Sequence, residues 1–245
     1  MGTATLLQHI TAVCNELALP IPNSVIGTTD DQIRQLLALS NREGKTASQF
    51  SFGANMGWQA LVKTATITLV NGTSAYALPS DIDHAITSTF WDVNHKWQML
   101  GPLSPQEYDV LVYGISPTGP RRRFRVSGNM VNINPTPGAG DVGNTVAYEY
   151  YSNGWCVSGA SNFTSWQTDS DTYALDDDTM QLGIKWRFLR AKGLDYTEEK
   201  AQWMSQMMQA MAKDGFDRYL PTNAQARQDQ QLLSEQNVPD TGYGA

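Results

Sequence analysis

Residues that carry chemistry are scarce in this chain. Among its 245 residues there are two cysteines, Cys14 and Cys156, and three histidines, His9, His84 and His95. The cysteines lie far apart with no CxxC or Cys/His spacing, so neither a zinc site nor a disulfide framework is indicated. Two cysteines and no basic-then-apolar N-terminal stretch fit a protein folding in a reducing cytoplasm without an export signal. No apolar run approaches the roughly 20 residues that cross a bilayer, so no membrane partner is expected. The histidines stand alone, without HExxH, and no G-x-S-x-G is present. The glycines of Gly138-Ala-Gly140-Asp-Val-Gly143 follow Pro-Thr-Pro and open no helix, so a phosphate loop fails on context and no cofactor is expected. Charged residues make up only 17%, and the net charge is -7, which argues against a general nucleic-acid binder.

What is present is apolar periodicity. In the stretch from Asp178 to Met204, Leu182, Trp186 and Leu189 recur at helical spacing, with Ile184, Phe188 and Ala191 as a second row. Lys185, Arg187, Arg190 and Lys192 gather toward the end, where cations suit the helix dipole, and Gly193 supplies a stop. Asp195 with Glu198 reads as a new N-cap, starting a second helix through Trp203, Met204, Met207, Met208 and Met211 to about Phe216. Asp176-Asp177-Asp178 places negative charge at the first helix's positive end. The carboxylates at these two starts, Glu198/Glu199 included, admit glycoside hydrolysis as a rival reading, but helix-start charge explains them more simply.

At the other end of the chain, Leu6, Ile10, Val13 and Leu17 predict a helix over residues 3–18, ended by Pro20 and Pro22. Thr29 reads as the N-cap of a second helix carrying Ile33, Leu36, Leu37 and Leu39 and fraying near Gly44. Phe50, Phe52 and Trp58 read as core aromatics. From residue 64 the period shortens to two: Ala65, Ile67 and Leu69 alternate with threonines. Further strands are expected at 86–92, 96–100, 121–126, 130–134 and 145–151, with turns at Asn71-Gly72, Asn94-His95 and Ser127-Gly128-Asn129. Residues 153–176 read as a polar, irregular loop anchored by Trp155, Phe163, Trp166 and Tyr173. The Gln/Asn/Asp-rich tail from Pro221 buries too little alone to order itself; it reads as a disordered terminus or as an arm that orders on a partner.

The expected fold is therefore α+β: a helical bundle built from N- and C-terminal helices with an inserted small antiparallel β-domain. Its divisions are N-terminal helices 1–63, β-insert 64–155, loop 156–177, C-terminal helices 178–219 and arm 220–245.

The run Leu182-Gly-Ile-Lys-Trp-Arg-Phe-Leu-Arg-Ala-Lys-Gly-Leu-Asp-Tyr with Glu198 after it resembles the C-terminal signature of the head-to-tail adaptor (connector) proteins of tailed bacteriophages, the tail tubular A-like and tail accessory factor family. Tyr76-Ala-Leu-Pro79, Ile133-Asn-Pro-Thr-Pro137, Tyr148-Glu-Tyr-Tyr-Ser152 and the helix, Pro-rich link and capped helix of the N-terminus extend the likeness over residues 3–219. The resemblance implies a non-enzymatic virion protein of the neck, made in the host cytoplasm. It implies a ring of about twelve copies docked beneath the portal protein, extending the DNA channel toward a distal nozzle or tail-tube protein. A stopper or tube-completion protein is the nearest alternative; a cell-wall glycosidase or a DNA-binding module is further off.

Candidate interface residues follow. Arg121, Arg122, Arg123 and Arg125 form the one dense basic stretch; on a strand, Phe124 and Val126 point inward and Arg123 and Arg125 outward. They read as a solvated sheet face, as a salt-bridging contact with an acidic neighbouring subunit, or as a DNA contact. The row Met204, Met207, Met208, Met211 holds more methionine than one helix face buries, so part of it is expected to meet a neighbour. Leu232 and Leu233 are the apolar anchors of the arm.

Overall fold

The computed structural model describes residues 2–51, 57–114 and 121–216. Phe52 and the arm with Leu232 and Leu233 lie outside the described residues. Thr5 caps α1 (Leu6–Glu16) through a capping box with Gln8, and the buried face is Leu6, His9, Ile10, Val13 and Cys14. Asp30, one residue beyond the expected Thr29, caps α2 (Asp31–Ser48) by accepting from the amides of Gln32 and Ile33. The helix does not fray at Gly44. It continues because Gly44 is where the Trp155 indole packs, and a Cβ there would stand 2.3 Å from the ring.

The β region runs β1 (Val62–Thr68), β2 (Ala75–Ala77), β3 (Ile82–Ala85), β4 (Trp91–Asp92), β5 (Trp97–Gln98), then α3 (Pro105–Tyr113), β6 (Arg123–Ser127), β7 (Met130–Asn134) and β8 (Thr145–Ser152). One sheet follows the order β1-β8-β4-β5 with β3 also on β8, and a second is β2-β7-β6. All pairs are antiparallel. Gly128 and Asn129 both take positive φ, the geometry of a two-residue hairpin turn between β6 and β7. Between the sheets lies a core of Ile67, Leu69, Phe90, Phe124, Val131, Ile133, Val146 and Tyr148, in which Phe90 stacks on both Phe124 and Tyr148. The β region departs from expectation in strand length, the 96–100 strand shrinking to β5, and in one added helix. The 86–92 strand shrinks to β4, preceded by a 3-10 turn at Thr87–Thr89. The helix α3, which shows no clear apolar period, starts at a capping box of Ser104 with Glu107 and a proline in its first turn.

Residues 156–177 are not a plain loop: they hold β9 (Cys156–Ser158), β10 (Ser161–Phe163) and β11 (Thr172–Tyr173), a small sheet of order β10-β9-β11. Trp155, just ahead of this segment, and Trp166 and Tyr173 within it sit in the helical core with Leu6, Leu36, Ile184 and Trp203. Asp169 accepts from the amides of Val25 and Ile26 and so ties down the Pro-rich connector. The last elements are α4 (Asp177–Ala191) and α5 (Thr197–Met211). Gly193 at φ 72° ends α4: its amide bonds to the Arg190 carbonyl and the Leu194 amide to that of Leu189, a Schellman closure. Before α5 Asp195 accepts from the amide and hydroxyl of Thr197, so the helix begins later than the expected cap at Asp195.

Candidate functional site

The signature stretch of α4 turns inward. Arg187, expected among the cations at the helix end, is buried against Glu43 of α2, a carboxylate at 0% exposure. Arg187 Nε donates to Glu43 Oε2 at 2.7 Å, and Trp203 Nε1 of α5 donates to Oε1 at 2.7 Å. The guanidinium also lies 4.4 Å from the centre of the Trp186 ring. Gly183 makes this possible, since a Cβ there would come within 2.2 Å of the Glu43 carboxyl carbon. Burial pushes the Glu43 carboxyl up, and the Arg187 charge and the two hydrogen bonds pull it back. One ion pair thus joins three helices.

The start of α4 is equally occupied. Asp176 accepts from the Thr179 amide and from Gln206, and Asp177 accepts from the amides of Thr3 and Ala4. His9 is fully buried; its Nε2 lies 3.2 Å from Asp177 but off the hydrogen-bond direction. Burial pushes its pKa down, against the pull of Asp177. Asp171 accepts from the Gln167 and Thr168 amides and the Thr168 hydroxyl, closing the loop that holds the start of α1. These carboxylates are engaged in holding the chain in place. Cys14 and Cys156 are both buried and unpaired, and burial with Asp171 close by pushes the Cys156 thiol up to about 12, far from a nucleophile. Among the described residues, no three His, Cys, Asp or Glu side chains gather to hold a metal ion, and no helix is long and apolar enough to cross a membrane.

The arginine stretch divides. Arg122, expected with the others as surface, is buried: its Nε donates to Asp92 Oδ2 at 2.9 Å and its Nη2 to Asp141. Alternation explains this, for Arg122, the residue just ahead of β6, continues the inward face that carries Phe124. Val126, expected inward, is exposed, although its cross-strand partner Val131 is buried in the core. Asp92 also accepts from the amide and ring of His95, which stacks on Trp97, so the β4–β5 hairpin is braced against β6. Arg121 is exposed and Arg123 and Arg125 are half-buried; none forms an ion pair among the described residues. Arg125 lies 5.8 Å from the centre of the Tyr108 ring, and Arg123 borders a groove beside α3.

The methionine row divides too. Met207 and Met211 are core residues, which removes them as monomer surface, whereas Met208 is 41% exposed. The expected neighbour contact narrows to Met208 because a helix face wide enough for Trp203, Met207, Ala210 and Met211 leaves position 208 outside. Sequence patterning missed α3, which frames the groove; the signal was Ser104-Pro-Gln-Glu107, a capping box without an apolar run behind it.

The carboxylates and cysteines described above are thus engaged internally or buried, and arginines and apolar residues are left at the surface. The chain belongs to the SU10 adaptor protein family, a phage head-to-tail adaptor type, whose model matches residues 4–236. No curated protein matches it.

Proposed function

We propose that this protein assembles as a ring of about twelve copies beneath the phage portal, extends the DNA channel and receives the next tail component, a nozzle or tail-tube protein. The observation that carries the reading is the span of the family match, residues 4–236, which takes in both cores rather than one motif. The separation of those cores supports the division into N-terminal helices 1–63, a β-insert 64–155 and C-terminal helices 178–219, with residues 220–245 as an arm for a partner. The likeness to tail tubular A-like proteins is part of the same proposal. A net charge of -7 suits a channel that DNA passes without adhering, since like charges repel.

The mass of the full chain by light scattering, alone and mixed with portal rings, tests the reading. A many-copy ring formed with the portal is the expected result. A chain that stays monomeric and ignores the portal overturns it.

A further inference from the structure

Two patches of this chain, one on the β region and one on the helices, complement each other in charge and apolar character. The first is an open groove of about 430 Å3 between α3 and β6, lined by Leu103, Gln106, Glu107, Val110, Leu111 and Arg123. Arg121 and Arg125 extend its cationic rim along the strand, and no described carboxylate neutralises the three arginines. Glu107 also lines the groove and keeps its charge, but it forms no ion pair with them; its carboxylate accepts from the Ser104 amide in the capping box. Such a groove takes an apolar side chain flanked by carboxylates.

The second patch is the elbow between α4 and α5. The Schellman closure at Gly193 leaves Leu194 at 55% exposure, followed by exposed Asp195 and Glu198 and half-buried Glu199. Arg190, Lys192 and Lys200 are exposed nearby but pair with none of these carboxylates: Lys192 Nζ is 5.1 Å from the centre of the Phe188 ring and Lys200 Nζ 6.0 Å from that of Trp186. The elbow offers one leucine with carboxylates beside it.

We propose that the elbow of one copy seats in the α3–β6 groove of the next, Leu194 against Val110 and Leu111, and Glu198 and Glu199 against Arg121, Arg123 and Arg125. Two different patches meet, so the contact is head-to-tail and repeats around a ring. The inference rests on the ring reading above and adds the surfaces that close it.

Charge exchange in the full chain tests it. Arg123→Glu with Arg125→Glu, and separately Glu198→Arg with Glu199→Arg, are mixed with portal rings and followed by sedimentation. Each pair alone is expected to raise the concentration for half-assembly at least about tenfold, and the four changes together to restore it. Leu194→Asp, at an exposed position, is expected to weaken assembly with unchanged thermal melting. If wild-type chains form no ring with the portal, the functional reading falls and this inference with it. If wild-type rings form and the charge-reversed chains assemble equally well, or the four changes together fail to restore assembly, the inference alone is overturned. Arginine variants that assemble normally but lose salt-sensitive DNA binding overturn it as well, and assign the row to DNA.

Discussion

Among the described residues two arginines are buried, one beside each core, and the two do different work. Arg187 binds a carboxylate with no exposed surface, and the acceptor, its arginine and the Trp203 donor come from α2, α4 and α5. Arg122 binds Asp92 and Asp141 at the rim of the β region, where the same acceptors hold His95 and the Gly138 amide. The first is an interior fastening between distant parts of the chain. The second braces loops around a rim where Trp91, Val93, Leu100 and Val142 are exposed. A buried ion pair contributes little net stability compared with well-packed apolar residues, yet breaking one partner is severe. The helical core therefore fails as a whole when its pair is broken, and the β rim loses shape before it loses its core.

Glu43→Ala is the strongest way to break this comparison. It leaves the Arg187 charge buried with no counter-ion and is expected to cost about 3–5 kcal/mol, read from the urea midpoint. Replacing Glu43 and Arg187 together by apolar residues of similar volume should recover most of that loss; a double variant as unstable as the single would mean that the pair acts through more than charge. Arg122→Ala should cost less, about 1.5–3 kcal/mol, because Asp141 at the rim is partly solvated. Its clearer signature is predicted in the Trp91 and Trp97 fluorescence, which should report a loosened hairpin while the helical far-ultraviolet signal is retained.

The same contrast explains what the sequence reveals. The α4 run is legible as a helix because its apolar rows have a period, and β6 to β8 because theirs alternates. Arg187 is misread as a helix-end cation because its partner is Glu43, 144 positions away, and nothing local announces it. Arg122 carries a local clue in its alternation with Phe124, but a charge on the inward face is credible only once Asp92 and Asp141 are known to meet it there. Met207 and Met208 are adjacent in sequence and opposite in burial, a distinction the phase of α5 makes and composition cannot. Residues 156–177 are polar enough to read as loop, yet Asp169 and Asp171 satisfy backbone amides there and let short strands pack on the helices.

That acid-closed loop gives the mildest and most selective test. Burial of Asp171 works to raise its pKa, but bonds from the Thr168 hydroxyl and amide, Ser158 and the Gln167 amide outweigh it and bring the carboxyl to about 2, below its ordinary 3.8. A carboxylate whose folded pKa is depressed contributes stability above its unfolded value and loses it as pH falls through the folded value. The contribution is thus present above roughly pH 4, on the scale of ordinary aspartate, and is lost toward pH 2. Asp171→Asn should lower stability at neutral pH by on the order of 1–2 kcal/mol and flatten the decline over that acid window. Because the loop carries Trp166 and receives the Leu6 amide, the change should loosen the start of α1 and leave the Arg122 brace intact. Hydrogen exchange at Leu6 and Leu7, compared with Val93 in the β rim, separates the two regions. Faster exchange at Leu6 and Leu7 alone supports independent cores, whereas equal acceleration at Val93 would show that the loop and the rim open as one unit.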